Sequence, residues 1–149
     1  MSELIFDAAS EEDTDRIGAE LAARLPNGAV VALNGTLGAG KTRLVQAIAA
    51  DCGVPREVVV SPTFVLCQQY QGTRSINHLD AYRLKDAAEF RELGADELFA
   101  ADLTIIEWAD KIAAALPEDH VQIDIEVTGP TSRRFTIRGL RGPAASIGS

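Results

Sequence analysis

The sequence predicts an α/β domain with a mostly parallel central sheet, helices on both of its faces and an antiparallel C-terminal edge. Three features of the chain lead to this expectation. Short apolar, β-branched runs alternate with stretches whose apolar residues recur at helical spacing. One run, residues 29–34, passes directly into a glycine-rich loop and then a helical pattern, so strand, loop and helix follow in that order. The last two runs, 121–127 and 135–138, alternate inward and outward side chains, which suits an antiparallel pair at a sheet edge. With 149 residues, 46% of them hydrophobic and 24% charged, the chain has the composition of an ordinary globular protein and the length of one domain with a three-layer core.

Taken in order, residues 4–6 form a short strand. Ser10 with Asp13 resembles a capping box, with Asp in place of the usual Glu or Gln. Ile17, Leu21 and Leu25 then make one apolar helix face that stops before Pro26. After the strand at 29–34 and its loop, Leu44, Val45 and Ile48 repeat at helical spacing, and Gly53 is placed to end the helix. Residues 58–60 lead into Ser61-Pro62-Thr63-Phe64, and 64–70 read as extended chain. Gly72 and Thr73 suit a hairpin turn before a strand at 75–79. A helix over 86–93 closes at Gly94, followed by a short turn at 96–99 and a buried strand at 103–106. Residues 109–116 read as helix ending at Pro117. The domain is expected to span 1–141, with a small-residue tail over 142–149 that frays.

Gly35-Thr36-Leu37-Gly38-Ala39-Gly40-Lys41-Thr42 matches the phosphate-binding loop pattern G-x-x-x-x-G-K-[ST] in full. At average residue frequencies a chain of this length meets that pattern by accident about once in a couple of hundred sequences. Each fixed position has a physical task. Gly35 and Gly40 lack Cβ, so the chain turns tightly and several backbone N–H groups converge on one anion. The following helix adds the positive end of its dipole. Lys41 has the reach for β- and γ-phosphates, and the Thr42 hydroxyl suits Mg²⁺. The fold expected is therefore a three-layer P-loop NTPase domain.

Bulk charge narrows the function classes. A formal net charge of −8 argues against direct, stable nucleic-acid binding, which leans on counterion release by Lys and Arg. The two cysteines, Cys52 and Cys67, lack metal-ligand spacing and read as free buried thiols of a reducing cytosol. No basic n-region opens the chain and no apolar run approaches a membrane span, so a cytoplasmic protein without membrane association is expected.

Four further positions attract chemistry. Asp80 follows the run 76–79 and Glu107 follows 103–106, each at the expected carboxyl end of a strand, where ligands sit in open α/β sheets. A carboxylate there holds Mg²⁺, directly or through water, or orients the attacking water; taken singly, each acid is equally compatible with a solvated helix cap. Pro62 makes 61–64 a defined loop, in which the Thr63 hydroxyl is a candidate for a switch-like approach to the γ-phosphate, against the plainer reading of a Ser-Pro turn. Trp108 reads as core rather than site.

Over nearly its whole length the chain resembles the bacterial TsaE (YjeE) family, small ATPases of tRNA threonylcarbamoyladenosine biosynthesis. The phosphate loop is shared with a vast superfamily. Ser61-Pro62-Thr63-Phe64, His78-Leu79-Asp80-Ala81-Tyr82-Arg83 and Glu107-Trp108, in this order and spacing, are far more specific. The resemblance implies an ATP- and Mg²⁺-binding α/β domain. In it Leu37, Gly38, Ala39 and Gly40 line the phosphates, Lys41 and Thr42 hold phosphate and metal, Asp80 and Glu107 serve metal and water, and Thr63 is the switch-like residue. It also implies that Asp13 and Thr14 lie near the base, and that a basic residue before the last strand, Arg133 or Arg134, contacts the nucleotide. Its implied partners are TsaB-like and TsaD-like proteins, the latter transferring the threonylcarbamoyl group to adenosine in tRNA. The tail after Gly142 has no counterpart in the family.

Two rival readings are weaker. A GTPase would use Asn77-His78-Leu79-Asp80 as its guanine reader, but His stands where a Lys is needed and the motif falls on the candidate metal strand. A small-molecule kinase requires an acceptor pocket and usually an Arg-bearing lid, and residues 86–101 are too acidic to supply one.

Overall fold

The structure, a computed structural model, describes residues 3–36, 39–59 and 67–140. Strand β1 (Glu3–Ala8) leads to helix α1 (Glu11–Arg24), strand β2 (Ala29–Gly35) and helix α2 (Lys41–Asp51). A 3₁₀ turn (Arg56–Val58) precedes the hairpin of β3 (Cys67–Gln71) and β4 (Ser75–Asp80). Two short helices, α3 (Ala87–Glu92) and α4 (Ala95–Leu98), lead to β5 (Leu103–Glu107). A 3₁₀ segment (Ala109–Ala115) and the strands β6 (Val121–Val127) and β7 (Arg133–Arg138) complete the order.

The strands form one seven-stranded sheet in the order β1-β7-β6-β2-β5-β4-β3. Its centre is parallel: β2 pairs with β5 and β6, and β4 pairs with β5. Antiparallel strands flank this core, β3 on β4 at one side and β6, β7 and β1 in succession at the other. The expected antiparallel pair 121–127 and 135–138 is present, but it is not the edge. β1 runs along β7 from Glu3↔Arg138 to Ala8↔Arg133 and takes the outer position. A strand of a few residues at the N-terminus carries no mark of where it docks, so this placement is a tertiary outcome.

Alternation along β2 sends side chains to two separate apolar clusters. Val31 and Leu33 join Leu21 of α1 and Leu44 and Ile48 of α2 on one face. Val30 and Ala32 join Leu79, Phe90 and Ile112 on the other. Both faces of the central strands are thus covered, which is why these strands read as continuous apolar runs.

Local chemistry sets the helix ends. The Asp13 amide donates to Ser10 Oγ at 3.2 Å, and Asp13 Oδ2 accepts from the Ala9 amide at 2.9 Å, so the expected cap on α1 is present. Gly53 and Gly94, with φ of +86° and +90°, follow α2 and α3 in the left-handed region. Arg74, in the β3–β4 turn, donates to the carbonyls of Ala22 and Leu25 at 2.9 and 2.7 Å and closes the C-terminus of α1 from outside the helix. Cys52 and Cys67 are free thiols; Cys52 is buried and Cys67 half-buried.

The expected helix at 109–116 is instead a 3₁₀ segment with a break at Ile112 (φ −123°, ψ 27°). It starts from Trp108 in the left-handed region without a side-chain cap, and it is too short to nucleate regular α-helix unaided. Burial of Ile112 in the second cluster decides its path. The reading of 60–66 as loop and extended chain, and of 142–149 as a tail, lies outside the described residues.

Candidate functional site

The parallel register brings three carboxyl ends together. Gly35 ends β2, Asp80 ends β4 and Glu107 ends β5, with Asp80 opposite Glu107 across one pairing and Leu33 opposite Glu107 across the next. Gly35 is where the chain leaves the sheet for the loop. A Cβ there would lie 3.2 Å from Ala39 Cβ and from the Ile125 carbonyl, so the position is tight as well as a turn. Gly40 sits at φ +102°, a backbone that L side chains rarely adopt, and precedes α2 without a side-chain cap. The first amides of α2 have no partner within the helix.

Lys41 opens α2 and is 8% exposed. Its Nζ donates to the Gly35 carbonyl at 2.7 Å and lies 4.1 Å from the centre of the Trp108 ring. Burial lowers its pKa below the ordinary lysine value, opposed by the nearby charges of Glu107, Asp80 and Asp110. Trp108 is the non-glycine residue with positive φ, +58°, among the described residues. That turn, one residue after Glu107, carries the indole over Lys41 and within 5.1 Å of the Tyr82 ring. Trp108 therefore belongs to the site, where the sequence suggested core. The missed signal was its place directly after a strand-end acid.

Asp80 Oδ1 accepts from the Tyr82 amide at 2.8 Å. Burial raises the Asp80 pKa above the usual carboxylate range; the Tyr82 amide and Lys41 pull it down, while the Glu107 charge adds to the rise. Glu107 is nearly fully buried and pairs through Oε2 with His78 Nε2 at 2.6 Å. Thr42 follows Lys41 on α2 and is half-buried.

Beside the loop lies a cleft of about 360 Å³, walled by Ser10, Thr14, Gly40, Arg43, Thr131 and Arg133 among others. Thr14 is buried there, whereas the Asp13 carboxylate is engaged in the α1 cap. Arg133 Nε donates to the Ala39 carbonyl at 3.0 Å, and its Nη1 reaches the carbonyls of Gly129 and Ser132. Arg134 points away, to Asp7 Oδ1 at 2.8 Å across the β1–β7 pairing. Of the two candidate arginines, strand alternation thus gives the cleft to Arg133. Arg43 lines the cleft while gripping both Asp15 carboxylate oxygens at 2.9 and 2.7 Å, a tie between α1 and α2 that sequence spacing did not suggest. Leu37, Gly38 and Thr63 lie outside the described residues.

Residues 8–135 match the family described as Threonylcarbamoyl adenosine biosynthesis protein TsaE. The chain belongs to the TsaE family. It is 37% identical over 129 residues to a "tRNA threonylcarbamoyladenosine biosynthesis protein TsaE" of Treponema pallidum, covering 86% of this chain and 95% of that one. The protein of the same description from Bacillus subtilis is 36% identical over 142 residues, covering 94% of this chain and 88% of that one. In fold, this TsaE family member resembles the crystal structure of Bacillus subtilis YdiB with a TM-score of 0.75 and 30% identity, over 91% of this chain and 84% of that one.

The candidate donor atoms are hard oxygens: the Asp80 and Glu107 carboxylates at two strand ends and the Thr42 hydroxyl at the start of α2. Among the described residues no cluster of three or more His, Cys, Asp or Glu forms a metal cage. Hard oxygens of this kind are the donors that Mg²⁺ takes. Among the described residues, no helix is long and apolar enough to cross a membrane.

Proposed function

We propose that this TsaE family member is a three-layer P-loop NTPase that hydrolyses ATP with Mg²⁺ and acts in threonylcarbamoyladenosine modification of tRNA through TsaB-like and TsaD-like partners. The observation that supports it most is the convergence of Lys41, Asp80 and Glu107 at adjoining strand ends, beside a cleft of about 360 Å³. The triphosphate lies along residues 35–42, with the base toward Thr14 and Arg133. Lys41 exchanges the Gly35 carbonyl for phosphate oxygens, a short movement within a partly buried site. Thr42 and Asp80 hold the metal. Bound Mg²⁺ supplies charge neutralisation on the transferring phosphoryl group. Glu107, set between Lys41 and Asp80, orients the water that attacks the γ-phosphorus as the bond to ADP breaks. Thr63, outside the described residues, is assigned the switch-like role at the same phosphate. Trp108 keeps the Lys41 ammonium directed at the loop.

The kinase alternative draws no support from the acidic segment after residue 86. It folds as α3 and α4 and is anchored by Phe90, which is wholly buried beneath the 109–115 segment. The tRNA pathway comes from the relatives' descriptions and agrees with a chain of net charge −8 that reaches RNA through partners in the cytoplasm.

Phosphate release from the purified protein tests this reading, alone, with tRNA, and with a TsaB–TsaD pair. The sequence offers no recognisable arginine-bearing lid, and an arginine supplied in trans raises such rates by about 10³–10⁵. The protein alone is therefore slow and the pair accelerates it. Asp80→Ala and Glu107→Ala each remove most turnover while retaining binding of an ATP analogue. Full activity in isolation, or stimulation by tRNA without the proteins, refutes partner completion. Parental hydrolysis by both acid variants refutes the strand-end assignment.

A further inference from the structure

Behind Glu107 runs a buried line of polar side chains that the phosphate chemistry does not use. His78 Nε2 lies 2.6 Å from Glu107 Oε2, and His78 Nδ1 lies 3.0 Å from the Tyr70 hydroxyl. That hydroxyl donates to Gln68 Oε1 at 2.6 Å. His78 is 0% exposed, and Tyr70 and Glu107 are 3% exposed. Register explains the line. His78 and Asp80 share one face of β4, with Gln68 opposite His78 on β3 and Glu107 opposite Asp80 on β5. This is the face on which α2 packs, so the imidazole stands behind the catalytic end of the sheet.

Hydrogen inventory orients the line. A tyrosine hydroxyl has one hydrogen, and here it is directed at Gln68; the Tyr70 oxygen therefore accepts from His78 Nδ1–H. The opposite nitrogen then shares a single hydrogen with Glu107 Oε2. Both edges of the imidazole are tied, and one oxygen of the carboxylate is held in place. A carboxylate with one oxygen fixed presents the other in a single direction, which is what orienting a water requires.

We infer that His78, itself held by Tyr70, is a positioning residue that fixes the direction of the Glu107 carboxylate. This rests on the reading of Glu107 as the water-orienting acid. A buried polar pair kept only for stability would look the same at rest, so the test needs readouts that stability does not move.

The experiment compares Glu107→Gln, His78→Leu, His78→Gln and Tyr70→Phe by phosphate release with the partner pair, by binding of a fluorescent ATP analogue, and by long-range ¹H–¹⁵N spectra of the ligand-free protein. His78→Leu lowers kcat by about 10–100-fold with KM for ATP nearly unchanged. His78→Gln, whose amide can still donate to Glu107, recovers part of that loss. Tyr70→Phe, which keeps the ring and its packing, lowers kcat by about 2–10-fold. In the spectra Glu107→Gln moves the His78 Nε2 resonance and Tyr70→Phe moves Nδ1. If Glu107→Gln is inactive while folded Tyr70→Phe and both His78 variants turn over at the parental rate, the inference is overturned. If His78→Leu does not fold, the Gln and Phe variants decide on the same criteria. If Glu107→Gln hydrolyses normally, the assignment of Glu107 fails; the spectra then judge His78 alone, and an Nε2 resonance that ignores Glu107→Gln overturns the contact.

Discussion

Gly18→Ala sets two known magnitudes against each other at the α1–α2 crossing. In an isolated helix the change gains about 1 kcal/mol, because Gly is a poor helix former. Here a Cβ on residue 18 would stand 2.3 Å from Ala47 Cβ, with the Ala47 carbonyl carbon and Ile48 nitrogen at 3.1 and 3.2 Å. Two of those three neighbours are backbone and do not rotate away. Restoring the 3.4 Å of an ordinary contact requires α1 to withdraw by about 1.1 Å. That movement loosens Ile17, Leu21 and Ala22 from the first cluster, and overpacking of this kind costs about 1–3 kcal/mol. The steric term offsets the propensity gain and exceeds it wherever α1 gives way, leaving a net loss of up to about 2 kcal/mol and a Tm lower by up to about 8 °C. Thermal unfolding by circular dichroism measures it. Because Thr14 on α1 and Arg43 on α2 wall the same cleft, ATP-analogue affinity falls alongside. Adding Ala47→Gly removes the nearest atom, so the double variant is more stable than the sum of the single effects. A rise in Tm for Gly18→Ala alone would refute the crowding argument.

Arg74→Ala removes two donors from the C-terminal carbonyls of α1 and lowers stability by about 1–3 kcal/mol in urea unfolding, with the hairpin retained. Lys41→Ala weakens binding of a fluorescent ATP analogue by about 10–150-fold, the worth of a charge-assisted hydrogen bond. Asp80→Asn keeps an acceptor for the Tyr82 amide while removing a half-buried charge, so it raises the Tm of the ligand-free protein at pH 7. The sign follows from the raised Asp80 pKa: above it the folded state carries the full cost of the anion, and below the ordinary carboxyl value of 3.8 neither state does. The stabilisation by Asn is therefore complete at neutral pH and fades on acidification, as melting curves across pH check.

The sequence by itself determined the local pieces. The glycine-rich pattern of 35–42 was legible because its glycines, lysine and hydroxyl stand at set intervals along one continuous stretch. Asp80 and Glu107 were legible as strand ends because each follows an apolar run. The caps at Ser10, Gly53 and Gly94 were legible because they are contacts between near neighbours. Tertiary structure alone decided what depends on residues distant in the chain. It set β1 outside β7 through backbone pairing that no side chain announces. It required Gly18 because another helix passes within contact distance. Strand alternation chose Arg133 over Arg134 for the cleft, and a left-handed turn took Trp108 from the expected core to the ammonium of Lys41. The link from Gln68 to Glu107 arose in the same way. It crosses three strands, β3, β4 and β5, and exists only in their shared register.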